Sequence, residues 1–214
     1  MNMSVFDKMA HHFAWKEGGL KGYLGQVCAE LRCAKQRITR GFSDCDAREF
    51  CSWFLSVVPD MLEKFNQNKN GFPCSLMFPK GTPLEGHVAS HAMTTEGELY
   101  DKWTETLNRM VFLFREANED TCQRKNLYEN EAMRVMEEFT KKYGLFGEKL
   151  MTEEEKAEAE KCGGKTMHFP KELPEYAEIE EKYHEEERKL KEYRKECFKE
   201  AMSMLGEWFW DLWD

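Results

Sequence analysis

The sequence contains no apolar run approaching the roughly 18 residues that a membrane span needs, and its N-terminus shows no signal-peptide core. Catalytic signatures are missing as well. No Gly-x-Ser-x-Gly elbow is present, and no cysteine lies in a Gly-rich electropositive elbow, so nucleophilic catalysis finds no support. The Gly-x4-Gly-Lys-Ser/Thr loop of nucleotide hydrolases is absent, as is the glycine fingerprint of dinucleotide binding with its flanking strands. The eight cysteines include no C-x-x-C pair, and the Cys28/Cys33 and Cys45/Cys51 spacings suit zinc poorly. They read as reduced cytosolic thiols. No excess of positive charge exists either: the net charge of −9 disfavours direct, non-specific binding to nucleic acid or to an anionic membrane.

What is present argues for a folded chain. Apolar residues make up 41% and aromatics 13%, too much for global disorder, while 33% charged residues imply a heavily solvated surface. The charge is uneven. Lys16, Lys21, Arg32, Lys35, Arg37 and Arg40 face only Glu17 and Glu30 in residues 16–40, whereas 148–200 is dominated by glutamate.

Helical periodicity recurs along the chain, and no strand pair does. Gln26 to Ile38 fits a short basic helix. Ser43 with Asp46 forms a short capping box, with Phe42 placed to staple onto the helix that follows. Phe50, Trp53/Phe54, Val57/Val58, Met61/Leu62 and Phe65 then predict one helix over 44–65 with a wide apolar face and a kink at Pro59. Residues 66–94, with Pro73, Pro79 and Pro83, predict a long Pro/Gly-rich loop. Thr95-x-x-Glu98 caps a second apolar face, Leu99, Trp103, Leu107, Met110/Val111 and Phe114. A third helix is expected from about Asn126 to Tyr143, stopped by Gly144. Thr152-x-x-Glu155 opens a short acidic helix that Gly163-Gly164 ends, and Pro174 suits the first turn of a last helix. Tyr176, Tyr183, Leu190, Cys197 and Met204 form a heptad seam on it. Its length predicts a break or a projecting helical hairpin. The fold class is therefore all-α: a helical bundle with a long C-terminal helix or hairpin. Segment by segment, 1–40 is a basic N-terminal stretch, 41–147 a helical core, and 148–214 a charged insertion plus a long helix packing back on that core, the whole expected to form one domain.

Three places could carry function. Arg32, Lys35, Arg37 and Arg40, beside the helix start at Ser43, could hold a phosphorylated small nucleotide. Asp44 and Asp46 sit where such an anion would bind, and they suit the helix dipole better than a phosphate does, which favours a capped turn. His87 and His91, with Glu85, Glu96 or Glu98, have the spacing of two imidazoles on one helical face, but they fall in the Pro/Gly-rich loop without the glutamate of a zinc hydrolase. No metal and no cofactor is expected there. Trp208, Trp210 and Trp213 close the chain in "MLGEWFWDLWD", too aromatic for a free tail; the segment must dock into a core or anchor an interface. Leu205, Trp208, Phe209 and Leu212 would share one helical face.

"RGFSDCDAREFCSWFLSVVPDMLEKF", the following "NGFP", "KWTETLNRMVFLF", "YGLFGEKL", "EYAEIEEKYHEEERKLKEYRKEC" and the closing segment together resemble helical proteins encoded by tailed phages and prophages of gut Firmicutes. The likeness spans roughly residues 37–214 and carries no catalytic residue. It implies a phage protein acting in the host bacterial cytoplasm. The reading that follows is a non-enzymatic binding protein that modulates or inhibits a host system, such as an antiviral defence complex, in the manner of an anti-CRISPR or other counter-defence protein. Its partner would be a host protein or protein complex, with self-association open. The alternatives are a protein that sequesters a nucleotide signal and a virion or assembly component.

Overall fold

The structure is a computed structural model, and it describes residues 25–77, 96–163 and 166–213. Among these residues every regular element is helical: α1 (25–40), α2 (Asp44–Arg48), α3 (Phe50–Asn68), α4 (Glu96–Ala117), α5 (Glu129–Tyr143), α6 (Glu153–Cys162) and α7 (Pro174–Trp208), with short 3₁₀ turns between and after them. The protein is all-α with a long C-terminal helix. No described helix is long and apolar enough to cross a membrane. Thr95, His87 and His91 lie outside the described residues, as does most of the expected 66–94 loop. The part of that loop that is described is partly helical: α3 continues to Asn68, and Cys74–Met77 forms a 3₁₀ turn.

The chain divides into two compact units, one of residues 1–122 with 197–214, the other of 123–196. These cut across the 41–147 and 148–214 segments.

In the first unit α3 packs on α4. The periodic face of α4 is the core: Trp103, Leu107, Met110, Leu113 and Phe114 are all essentially inaccessible. Phe54 of α3 meets Phe114 edge-on at 5.7 Å, and Phe198 joins both at 6.4–6.5 Å, so three phenylalanines from distant parts of the sequence share one cluster. Arg115 reaches from α4 to Glu63 and Asp60 on α3, and Asn66 bonds Asn108. The expected single helix over 44–65 is interrupted at Glu49, whose backbone (φ −102°, ψ 42°) leaves helical geometry. Helix α3 runs through Pro59, which is buried. Within α3, Leu62 is buried while Met61 is 66% exposed, and Trp53, Phe54, Val57 and Phe65 are half-buried.

In the second unit, Phe139 of α5 contacts Tyr143 and Tyr176, with ring centroids 5.3 and 6.4 Å away, and Tyr176 donates its hydroxyl to Glu138. Gly144 ends α5, and the Thr152–Glu155 capping box opens α6 as its spacing predicts. His168 lies between carboxylates: its Nδ1 is 2.7 Å from Glu172 Oε2, and its Nε2 faces Glu155 Oε2 at 3.5 Å. Glu172 raises the His168 pKa above its ordinary value. Thr152, through its backbone N–H and hydroxyl, holds Glu155 below the usual carboxylate range, with His168 adding to it.

Helix α7 starts at Pro174 and is one unbroken helix of 35 residues, about 50 Å long, with neither the break nor the hairpin expected. Continuity follows from its sequence. No proline lies beyond the first turn, and Glu178–Lys182 and Glu185–Lys189 are i, i+4 pairs in the favourable orientation. On the predicted seam, Tyr176, Leu190 and Cys197 are buried and Tyr183 and Met204 half-buried. Residues through Glu196 belong to the second unit and those from Cys197 to the first.

Candidate interaction surfaces

Two surfaces of the first unit hold the residues singled out by sequence. One is the corner between α1 and α2. Ser43 is fully buried and caps α2; its side chain accepts from the Asp46 N–H, and Asp46 accepts from the Ser43 N–H at 2.7 Å. Arg37 then clamps the same carboxylate with two bonds, Nε to Oδ2 at 2.9 Å and Nη2 to Oδ1 at 2.5 Å. That guanidinium holds Asp46 far below the usual carboxylate range. Arg40 pairs with Asp44, donates through Nε to the Phe42 carbonyl and covers the Phe42 ring at 4.7 Å. Asp44 also accepts from Gln36, and Arg40, then Gln36, lower its pKa. Of the four basic residues proposed for an anion, Arg37 and Arg40 are thus engaged by the two aspartates, while Arg32 and Lys35 lie exposed on α1.

Gly41 (φ +84°) lets the chain turn from α1 into the cap. Phe42 is 44% exposed and, with Ala47, Phe50 and Trp53, lines a recess of about 340 Å³.

The same corner holds a contact that sequence spacing did not reveal. Cys33 Sγ and Cys45 Sγ are 3.2 Å apart, and Arg48 Nη2 lies 3.3 Å from Cys45. The hydrogen bond from Cys33, then Arg48, holds the Cys45 thiol below its ordinary pKa, and the same contact raises that of Cys33. The only signal in the sequence was Gly41 between a basic helix and a cap, which folds residue 45 back toward 33.

The second surface is the aromatic end. Helix α7 stops at Trp208, and Phe209–Asp211 form a 3₁₀ turn, so the expected continuous face of Leu205, Trp208, Phe209 and Leu212 is broken. Trp208 packs on Trp103 with ring centroids 5.3 Å apart. Beyond it the segment turns outward: Phe209 is 55%, Trp213 77% and Trp210 83% exposed. Asp211 accepts from the Ser75 hydroxyl at 3.2 Å, which ties the turn to the Cys74–Met77 3₁₀ turn. Trp213, Asp211, Phe72, Phe65 and the buried Lys69 line a second recess, of about 290 Å³. Of the three tryptophans expected to anchor, Trp208 serves the core, and Trp210 and Trp213 present their rings to solvent.

No family model, no curated protein and no solved structure matches the chain.

Proposed function

We propose that this chain is a non-enzymatic binding protein, encoded by a phage, that inhibits or modulates a host system in the bacterial cytoplasm, with an antiviral defence complex as its target. The observation that carries the binding role is the outward turn after Trp208. Two tryptophans exposed by more than three quarters, beside a recess and anchored by a packed Trp208, have the make-up of a protein-binding hot spot. Leaving such rings in water invites aggregation unless a partner covers them. The phage origin rests on the resemblance of the sequence segments, and the acidic charge supports competition for a basic groove on the target. Sequestration of a nucleotide is less favoured, because Arg37 and Arg40 are already bonded to Asp46 and Asp44.

The test is affinity capture from infected host lysate with wild-type chain and with Trp210→Ala/Trp213→Ala, followed by reconstitution with the purified partner. A defined host complex that binds wild type and loses at least about tenfold affinity for the variant supports the proposal. Equal binding by both chains would remove the aromatic end from the interface.

A further inference from the structure

The corner between α1 and α2 carries chemistry that binding does not use. Two thiols 12 residues apart in sequence are in direct contact, Sγ to Sγ at 3.2 Å. A disulfide places its sulfurs about 2.05 Å apart, so closure asks for a shift of only about 1 Å. Both side chains are partly exposed, which leaves them open to a small reagent. A guanidinium, Arg48, sits at hydrogen-bond distance from one of the two sulfurs and favours its thiolate.

We propose that Cys33 and Cys45 form a redox-active dithiol site that a hydroperoxide converts into a disulfide, with Cys45 as the attacking sulfur and Cys33 as the resolving one. In the first step the Cys45 thiolate attacks one peroxide oxygen; the O–O bond breaks, a sulfenic acid forms, and the departing hydroxide takes up a proton as water. In the second, the Cys33 sulfur attacks the Cys45 sulfur. The S–O bond breaks, the S–S bond forms, the Cys33 proton leaves with the hydroxide, and a second water is released. Two thiols and one hydrogen peroxide thus give one disulfide and two waters, the two electrons passing from sulfur to peroxide. The product ties α1 covalently to the Ser43 cap and closes a loop containing Arg37 and Arg40, so that oxidation rigidifies this corner.

The experiment treats the reduced full-length chain with limiting hydrogen peroxide, blocks remaining thiols with an alkylating reagent and maps every cysteine by mass spectrometry. The exposed Cys28, Cys51 and Cys74 serve as internal references. The expected first product is a Cys33–Cys45 linkage with loss of about 2 Da, formed at least about tenfold faster than oxidation at the reference cysteines. In Cys33→Ser, the Cys45 sulfenic acid should accumulate and be trapped by dimedone. In Cys45→Ser, oxidation at Cys33 should fall to the reference rate. Oxidation of Cys45 no faster than of Cys28, Cys51 and Cys74, or a wild-type product lacking the Cys33–Cys45 link, would overturn the proposal. The wild-type measurement decides this even if a serine variant misfolds.

Discussion

Trp103 and Trp208 meet with their ring centroids 5.3 Å apart and their planes inclined at 58°, so that α4 is sealed by the last residue of α7. Trp103 is 1% exposed. Trp103→Ala therefore removes a buried aromatic and leaves a cavity, at a cost of about 3–5 kcal/mol. Trp208→Ala, at a half-buried site, should cost roughly half as much. Denaturant unfolding of both variants checks the order; equal, small effects would mean that the pair does not close the core.

The Ser43 cap is fully buried, and Ser43→Ala should cost about 1 kcal/mol, read as a lower thermal midpoint. Its partner Asp46 has a pKa depressed below the ordinary 3.8 by Arg37. A depressed carboxylate stabilises the fold above its unfolded value and loses that contribution only as pH falls through the folded one. The Ser43 corner should thus survive mild acid, and Asp46→Asn should flatten the acid limb of the stability profile.

Gly147 sits at φ +67°, and a Cβ there would lie 2.7 Å from His168 Cβ and 2.9 Å from the His168 carbonyl oxygen. Both neighbours are close to backbone and cannot swing away. Gly147→Ala should destabilise by about 1–3 kcal/mol, combining left-handed strain with the clash. Hydrogen exchange across 144–172 should rise in the variant.

His168 gives the second unit a pH window. Its pKa is raised above 6.5, so its contribution is complete below that value and lost as pH rises through the folded pKa. Glu155 and Glu172 are lowered from 4.5, so theirs is present above 4.5 and lost as pH falls through their folded values. Between these limits the cluster is fully charged and most stabilising. The thermal midpoint of wild type relative to His168→Gln should be highest in that window and fall on both sides. Nuclear magnetic resonance titration of His168 should give a midpoint above 6.5.

Much of the fold was legible because local chemistry and burial agree. Ser43/Asp46 and Thr152/Glu155 cap helices as their spacing demands, Gly144 and Pro174 mark an end and a start, and the α4 stripe is the core. The three- and four-residue spacing admits both Met61 and Leu62 to the apolar face of α3, and only burial against α4 separates them, with Leu62 inside and Met61 outside. The length of α7 exceeds the expected break because its Glu/Lys pairs sustain a helix well beyond the usual span. At the corner, the four basic residues stood out by charge alone, but their engagement by Asp44 and Asp46 depends on Gly41 reversing the chain. The Cys33–Cys45 contact has the same origin, and no spacing rule for thiols encodes it. Trp210 and Trp213 were legible as aromatic; their outward turn follows from the change to 3₁₀ geometry after Trp208.

The first unit is built from two stretches of chain that the ribosome delivers far apart in time. Ser75 and Asp211, bonded to each other, are 136 residues apart. At about 5–20 residues per second, the later one emerges on the order of 10 s after the earlier. From the completion of α4 at Ala117 until Phe198 and Trp208 are made, these rings are not there to cover Phe114 and Trp103. For roughly 80–90 residues of synthesis the nascent chain therefore lacks the rings that cover this aromatic face, and exposed apolar surface of that kind is what chaperones engage.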